Sequence, residues 1–265
     1  MPELPEVEAY RRLAEAGLGR PIATVELRDP RFLRSAVTAR RLGTVLRGAS
    51  FTAARRRGKL LVLDLGGTAA ATGHHLGLRF GMTGRLLVDD RVGVDDLVYA
   101  SNRAEPRWDR FVVGFADGGD LVVRDPRLLG GVLLDPDEQL LGPDATGVTL
   151  SQLRRALEGS AVAVKARLLD QSRLAGVGNL IADEVLWRAS VAPTRRSGSL
   201  TAAEVRRLHR HLRTTLDDLD ERGGSHRGDL MSFRRPGGRC PRDGTELIRS
   251  TVGGRTSWWC PRHQR

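Results

Sequence analysis

The strongest constraint on this chain is a change of hydrophobic period about halfway along it. From about residue 21 to 135, apolar residues alternate or run in short blocks cut by glycine-rich turns. After about 147 they recur every three to four residues. A period of 2 belongs to strands and one near 3.6 to helices, so the first half folds as sheet and the second as helix. The switch falls in a Pro/Asp/Gly-rich stretch, Asp135-Pro136-Asp137 and Gly142-Pro143-Asp144, a composition that suits a domain boundary. The 265 residues suffice for one large or two modest domains.

Within the first half, strands are expected over Ala23–Leu27 and over Lys59–Leu65, which leaves the basic cluster Arg55-Arg56-Arg57-Gly58. Arg110–Phe115 and Leu121–Arg124 flank Ala116-Asp117-Gly118-Gly119-Asp120 and read as a hairpin. Several short strands with glycine turns suit a β-sandwich or a barrel. Ahead of them, residues 5–18 read as an amphipathic helix with Val7, Tyr10, Leu13, Ala14 and Leu18 on one side. In the second half, helices are expected over 151–157, 162–169 and 180–189, the last two joined by Ala175-Gly176-Val177-Gly178-Asn179. Thr201 and Glu204 form a capping box, with Leu200 and Val205 as its hydrophobic staple. The helix they open turns Val205, Leu208, Leu212, Leu216 and Leu219 to one face. A glycine- and arginine-rich loop of about 222–239 then leads to both cysteines. These boundaries divide the chain into 1–135, 136–221 and 222–265.

The net charge is +11, which makes a polyanion, above all nucleic acid, the natural partner. The arginine-rich composition of a GC-rich genome accounts for part of the excess. Of the 43 basic residues only Lys59 and Lys165 are lysine. Arginine suits phosphate contact but does not deprotonate in proteins, whereas a lysine can shift its pKa and move protons. The two lysines are therefore candidate functional residues. No stretch approaches the ~18 apolar residues that span a bilayer, and no signal peptide precedes the first helix. We expect a cytoplasmic, nucleoid-associated protein.

Cys240-Pro241-Arg242-Asp243 and, sixteen residues on, Cys260-Pro261-Arg262-His263 form two pairs with two-residue gaps. Cys240, Asp243, Cys260 and His263 offer four donors for one structural Zn²⁺ on two knuckles joined by a hairpin. The other readings are a ribbon that has lost its metal and a site completed by water. In that hairpin, Arg255 of Gly253-Gly254-Arg255 is expected at the turn tip, aimed at phosphate. The Gly176-Val177-Gly178-Asn179 turn exposes amides before a helix N-terminus, where anions are favoured. The plain alternative is a helix joint with Asn179 as its N-cap. At the chain start, removal of Met1 leaves Pro2 as a secondary amine. Such an α-amino group titrates near ~8 and can form an iminium with a sugar aldehyde. Glu3 beside it can move protons. Pro5, Glu6 and Glu8 equally suit the first turn of an ordinary helix.

Taken together, Pro2-Glu3-Leu4-Pro5-Glu6, Arg57-Gly58-Lys59, Gly81-Met82-Thr83-Gly84, Asp125-Pro126-Arg127, Gly176-Val177-Gly178-Asn179 and the ribbon spacing resemble the formamidopyrimidine-DNA glycosylase / endonuclease VIII family of base-excision repair enzymes. The resemblance covers essentially the whole chain. It implies an α+β fold of two domains: an N-terminal β-sandwich with an N-terminal helix, then a helix–two-turn–helix domain with a zinc-ribbon hairpin. Damaged double-stranded DNA would lie in the cleft between them. It implies a bifunctional DNA glycosylase/AP lyase that excises damaged bases and cuts the strand at the resulting abasic site by β,δ-elimination, and we expect a monomer. Pro2 would be the nucleophile at C1′, Glu3 the acid/base and Glu6 its support, with Lys59 on the phosphate beside the lesion. Lys165, Asn179 and Arg255 would hold the bent backbone. Met82, Arg127 and Leu129 would fill the gap left by the everted base.

The chain departs from the family pattern in three places. Two of the usual four ribbon cysteines are Asp243 and His263. Leu128-Leu129 stands where the formamidopyrimidine branch carries an aromatic wedge. The loop of about 222–239 is shorter than that branch's lesion-capping loop, which opens the choice of lesion to oxidised pyrimidines, ring-opened purines or hydantoins. The rival reading is a non-catalytic damaged-DNA-binding or regulatory protein, which needs neither a free Pro2 nor Glu3. A third is an excising enzyme with little lyase activity.

Overall fold

The computed structural model describes residues 2–94, 97, 98, 100, 101, 103 and 105–265. Met1, and with it the expected processing of the N-terminus, lies outside the described residues. The chain forms two compact units. One takes Met1–Pro2 and Glu6–Glu138, and the other takes Glu3–Pro5 and Gln139–Arg265. The expected finger of 222–265 is thus part of the second unit, and three residues of the N-terminus group with that unit as well.

In the first unit, helix α1 (Leu4–Ala14) precedes β1 (Ile22–Leu27), α2 (Ala39–Leu46), β2 (Ser50–Arg57), β3 (Leu60–Gly66), β4 (His75–Arg79), β5 (Arg85–Val88), β6 (Arg91–Val92), β7 (Asp109–Phe115), β8 (Asp120–Arg124) and β9 (Gly131–Leu134). Two antiparallel sheets form, ordered β2-β3-β4-β9 and β1-β7-β8-β5-β6. Period-2 patterning decides which side chains meet: Phe111, Val113, Leu121 and Val123 join Phe51, Leu61, Leu63, Leu76 and Leu78 in one buried core. Val112 and Val122, on the opposite face, pack with Leu87 instead. The sandwich, rather than the barrel, is the outcome. Helix α2 lies in a region expected to hold only strands. Thr38 caps it, and Leu42, Val45 and Leu46 supply its buried face.

The second unit holds α3 (Leu150–Leu157), α4 (Val164–Leu169), α5 (Asn179–Arg188), α6 (Ala202–Glu221) and the hairpin of β10 (Ile248–Val252) with β11 (Arg255–Trp259). Both faces of the Thr201–Glu204 capping box are made. Val205, Leu208, Leu212, Leu216 and Leu219 pack with Leu153, Ile181, Val185 and Leu4. A smaller core of Trp187, Leu230, Leu247, Trp258 and the two cysteines underlies the hairpin. Among the described residues, no helix is long and apolar enough to cross a membrane.

Candidate functional site

The first seven residues enter helix geometry at Leu4, so Pro2 and Glu3 lie just before the first turn of α1. Glu3 is fully buried. One carboxylate oxygen accepts the Leu180 N–H at 2.9 Å and the other the Ile181 N–H at 3.1 Å. These are free donors of the first turn of α5, which lack partners within the helix, and the positive end of the helix favours the negative charge. The turn before α5 must leave room for that carboxylate. A Cβ on Gly178 would collide with the Glu3 carboxyl group, and Gly176 takes a φ of 113° that only glycine adopts readily. Gly178 therefore serves a carboxylate from the chain start. Asn179 is the first residue of α5 but does not cap it: the cap position is Gly178, with no side-chain bond. Its Oδ1 is buried with no hydrogen-bond partner.

Lys59 was expected to open a strand and instead sits in the two-residue turn between β2 and β3, where Arg57 pairs with Leu60. Gly58 takes a φ of 58°, as the first central position of a type II′ turn requires, and Lys59 follows at the turn. Arg56, a member of the basic cluster to which the sequence assigns no role, secures this turn. Its guanidinium donates to the Gly58 carbonyl at 2.8 Å and to Glu8 of α1 at 3.0 Å. Glu6, on the same helix, is buried, and its charge together with burial raises the Tyr10 phenol well above its ordinary range, burial being the larger cause.

Met82 is half-buried in the turn Gly81–Gly84, and Arg127 and Leu129 are exposed in the loop after β8. Both segments converge on Asp125, which is fully buried.

Lys165 does not present its ammonium to solvent, in contrast to the expected phosphate contact. It is wholly buried on α4, with Nζ 2.7 Å from Asp183 and donating to the Thr256 carbonyl at 3.0 Å. Burial holds its pKa below the ordinary lysine value in spite of Asp183. Asp183 also receives Arg234 at 2.7 Å, the Ser257 hydroxyl at 2.6 Å and the Trp258 N–H at 3.2 Å. A buried charge needs such partners. This cluster ties α4, α5 and β11 into one frame. Arg255 is exposed on that frame as the first residue of β11, immediately after the tip rather than on it. The tip is Gly253-Gly254, both at positive φ in a type I′ turn. A Cβ on Gly253 would come within 2.8 Å of the Ala166 Cβ, so the tip rests on α4 beside Lys165. The neighbouring Glu184 accepts the N–H groups of Asp229 and Leu230 and so anchors the loop of about 222–239.

Cys240, Asp243, Cys260 and His263 converge, with their donor atoms all within 4.8 Å of one another. His263 Nδ1 lies 3.7 Å from Cys240 Sγ and 3.0 Å from Asp243 Oδ2, and Cys260 Sγ is 3.4 Å from Asp243 Oδ2. A tetrahedral ion at ~2.3 Å from sulfur and ~2.0–2.1 Å from nitrogen and oxygen would have edges of roughly 3.3–3.8 Å. Two of the three distances fall within that range and the third is a few tenths of an ångström short, so the four residues fit a metal ion. Trp187 Nε1 donates to Cys240 Sγ at 3.4 Å, the kind of outer contact that orients a ligand.

The formamidopyrimidine-DNA glycosylase N-terminal domain matches residues 1–132, and the formamidopyrimidine-DNA glycosylase H2TH domain matches residues 141–227. A formamidopyrimidine-DNA glycosylase of Paracoccus denitrificans is 37% identical over 98% of this chain and 99% of its own. One from Pelotomaculum thermopropionicum is 32% identical over 100% and 99%. The Lactococcus lactis Fpg in complex with DNA containing an abasic site superposes with a TM-score of 0.83 at 26% identity, covering 100% of both chains. The same protein with DNA containing Fapy-dG gives 0.82 at 27%, covering 99% of this chain and 100% of that one. The matched domains span most of the sequence, and the turns that hold Glu3, Lys59 and Met82 lie within them. The chain belongs to the formamidopyrimidine-DNA glycosylase (Fpg/Nei) family.

Proposed function

We propose that this protein is a bifunctional DNA glycosylase/AP lyase acting on damaged bases and abasic sites in double-stranded DNA, with Pro2 as nucleophile. The observation that carries the reading is the fixed Glu3. The residue next to the nucleophile is a buried carboxylate whose two oxygens are held by the Leu180 and Ile181 amides, as expected of a group that must deliver a proton along a defined line.

The Pro2 nitrogen attacks C1′ with its lone pair, and the damaged base leaves with the electrons of the glycosidic bond and takes up a proton. The Pro2 nitrogen, now carrying four bonds, gives its N–H proton to the Glu3 carboxylate; Glu3 delivers that proton to the ring oxygen as the C1′–O4′ bond opens, and the freed nitrogen lone pair completes the iminium. That cation acidifies C2′. Loss of its proton expels the 3′ phosphate, and loss of the C4′ proton then expels the 5′ phosphate. Water hydrolyses the iminium and frees Pro2. Glu6 supports this site, and Lys59 neutralises the phosphate beside the lesion. Asn179 and Arg255 hold the backbone on either side, with Lys165 acting through Arg255 from within the fold. Met82, Arg127 and Leu129 fill the space of the everted base. Zn²⁺ on Cys240, Asp243, Cys260 and His263 would lock the two knuckles below Arg255. The complexes of the Lactococcus lactis Fpg with Fapy-dG DNA and with abasic-site DNA support these substrate classes, and we place the protein in the cytoplasm as a monomer.

The test is borohydride trapping on abasic-site DNA, with Pro2 verified as the N-terminus by mass spectrometry. A covalent complex is expected, and Pro2→Gly should lower its yield. A processed chain that yields none refutes the lyase mechanism and favours a binding protein. A panel of duplexes with single lesions opposite each base then assigns the substrate.

A further inference from the structure

Asp125 is fully buried, and two separate loops are built on its carboxylate. Within its own loop, Oδ1 accepts the Arg127 N–H at 3.1 Å and Oδ2 accepts the Gly130 N–H at 2.8 Å. From the other loop, the Thr83 hydroxyl donates a short hydrogen bond to Oδ1. The loops also interlock through their backbones. Gly81 has a φ of 56°, and a Cβ there would lie 2.5 Å from the Leu129 carbonyl carbon.

Around this joint three backbone carbonyls are held as well. Arg110 donates to the Asp125 carbonyl at 2.8 Å, and Arg34 donates to the Leu128 carbonyl at 2.9 Å. Tyr10 of α1 donates its hydroxyl to the Gly84 carbonyl at 3.2 Å. Leu128 is kept at a φ of 55°, a strained value for a branched side chain that persists only where its surroundings impose it. The outcome is a rigid platform bearing two exposed side chains, Arg127 and Leu129, beside the turn that carries Met82.

We infer that Asp125 is a positioning residue for base eversion: its bond from Thr83 joins the Met82 turn and the Arg127–Leu129 loop into one preformed wedge. The inference rests on the glycosylase reading above and adds to it the joint that carries the aliphatic wedge. A small aliphatic wedge has little surface with which to hold itself in place, so its position must be set by the backbone beneath it. Preorganisation lowers the cost of ordering both loops when DNA binds.

The full chain with Met1 removed, so that Pro2 is the N-terminus, is assayed on two probes. The first is a duplex with 2-aminopurine beside a tetrahydrofuran abasic analogue, whose fluorescence rises as the stack opens. The second is a single-stranded oligonucleotide with a natural abasic site, trapped by borohydride, where no base has to be displaced. Thr83→Val removes the bond between loops and leaves the bonds of Asp125 within its own loop. It is expected to slow the fluorescence rise about tenfold, the scale of one hydrogen bond to a charged group, with trapping on the single strand changed less than twofold. Thr83→Ser keeps the hydroxyl and is expected to restore the rise, and Asp125→Asn is expected to fail as Thr83→Val does. A wild-type fluorescence rise in Thr83→Val overturns the inference. So does an equal loss on both probes, which marks general damage to the fold. Failure of the unaltered chain to trap on the single strand is a separate result, and it refutes the lyase reading instead.

Discussion

Replacing Glu3 by glutamine separates what this residue does for the fold from what it does for the reaction. The carboxylate accepts one N–H on each oxygen. Glutamine offers a single oxygen, so one amide of the first turn of α5 would face an NH₂ group and lose its acceptor. A buried donor left unmatched costs about 1–3 kcal/mol, and loss of the charge at the helix N-terminus adds roughly 0.3–2 kcal/mol. The substitution should therefore weaken the second unit by about 2–4 kcal/mol, a large share of the ~5–15 kcal/mol available to a domain. Urea unfolding followed by tryptophan fluorescence reads this directly, since Trp187, Trp258 and Trp259 belong to that unit and only Trp108 to the other. Gly178→Ala supplies an independent arm. Its φ of −113° and ψ of −169° suit alanine, so the only penalty is the collision of the new Cβ with the Glu3 carboxyl group. It should cost ~1–3 kcal/mol and reduce trapping on abasic DNA by about a hundredfold, the penalty of a misplaced catalytic group. A Glu3→Gln chain within ~0.5 kcal/mol of wild type, together with a fully active Gly178→Ala chain, would refute the idea that α5 holds this carboxylate.

Two further outcomes follow from the second unit. Metal analysis should find one zinc per chain, and chelation or Cys260→Ser should loosen the β10–β11 hairpin, change Trp187 fluorescence and weaken DNA binding through Arg255; a zinc-free chain with unchanged stability and affinity removes the metal assignment. Glu204 is held at a pKa of about 2, chiefly by its hydrogen bond from Arg195, so its stabilisation is full above the ordinary glutamate value and is lost as pH falls towards 2; thermal scans between pH 5 and 2 should show a shallower decline for Glu204→Gln, and an unchanged slope refutes the assignment.

Local signals in the sequence carried most of the fold. The hairpin at Asp117-Gly118-Gly119, the Thr201–Glu204 box and the five-leucine-and-valine face of α6 each lie within a window that one element fills, and each forms where its residues place it. Helix α2 was missed because its eight residues are too few to establish a period beside long strand-forming stretches, although Thr38 followed by Leu42, Val45 and Leu46 carries both cap and face. The convergence of Cys240, Asp243, Cys260 and His263 was legible from spacing, since each pair is closed by a tight local turn. The partners of Glu3 were not legible, because they stand 177 and 178 residues away and are backbone amides, which any residue supplies.

Lys165 shows how a suspicion raised by composition can point to the wrong geometry. Its rarity singled it out, but rarity does not distinguish a lysine that meets phosphate from one that meets a buried carboxylate. The distinguishing signal lay in α5, where Asp183 and Glu184 interrupt the apolar run Leu180-Ile181-Ala182 and Val185-Leu186. Successive residues on a helix point about 100° apart. Two adjacent carboxylates in an apolar helix can both be buried only if separate partners approach on separate sides. Asp183 meets Lys165, Arg234, Ser257 and Trp258, while Glu184 meets Arg188 and the amides of Asp229 and Leu230. The pair therefore dictates that α5 be enclosed by α4 and the hairpin on one flank and by the loop after α6 on the other. The same helix that receives Glu3 at its first turn thus fixes, one turn later, the frame that carries Arg255.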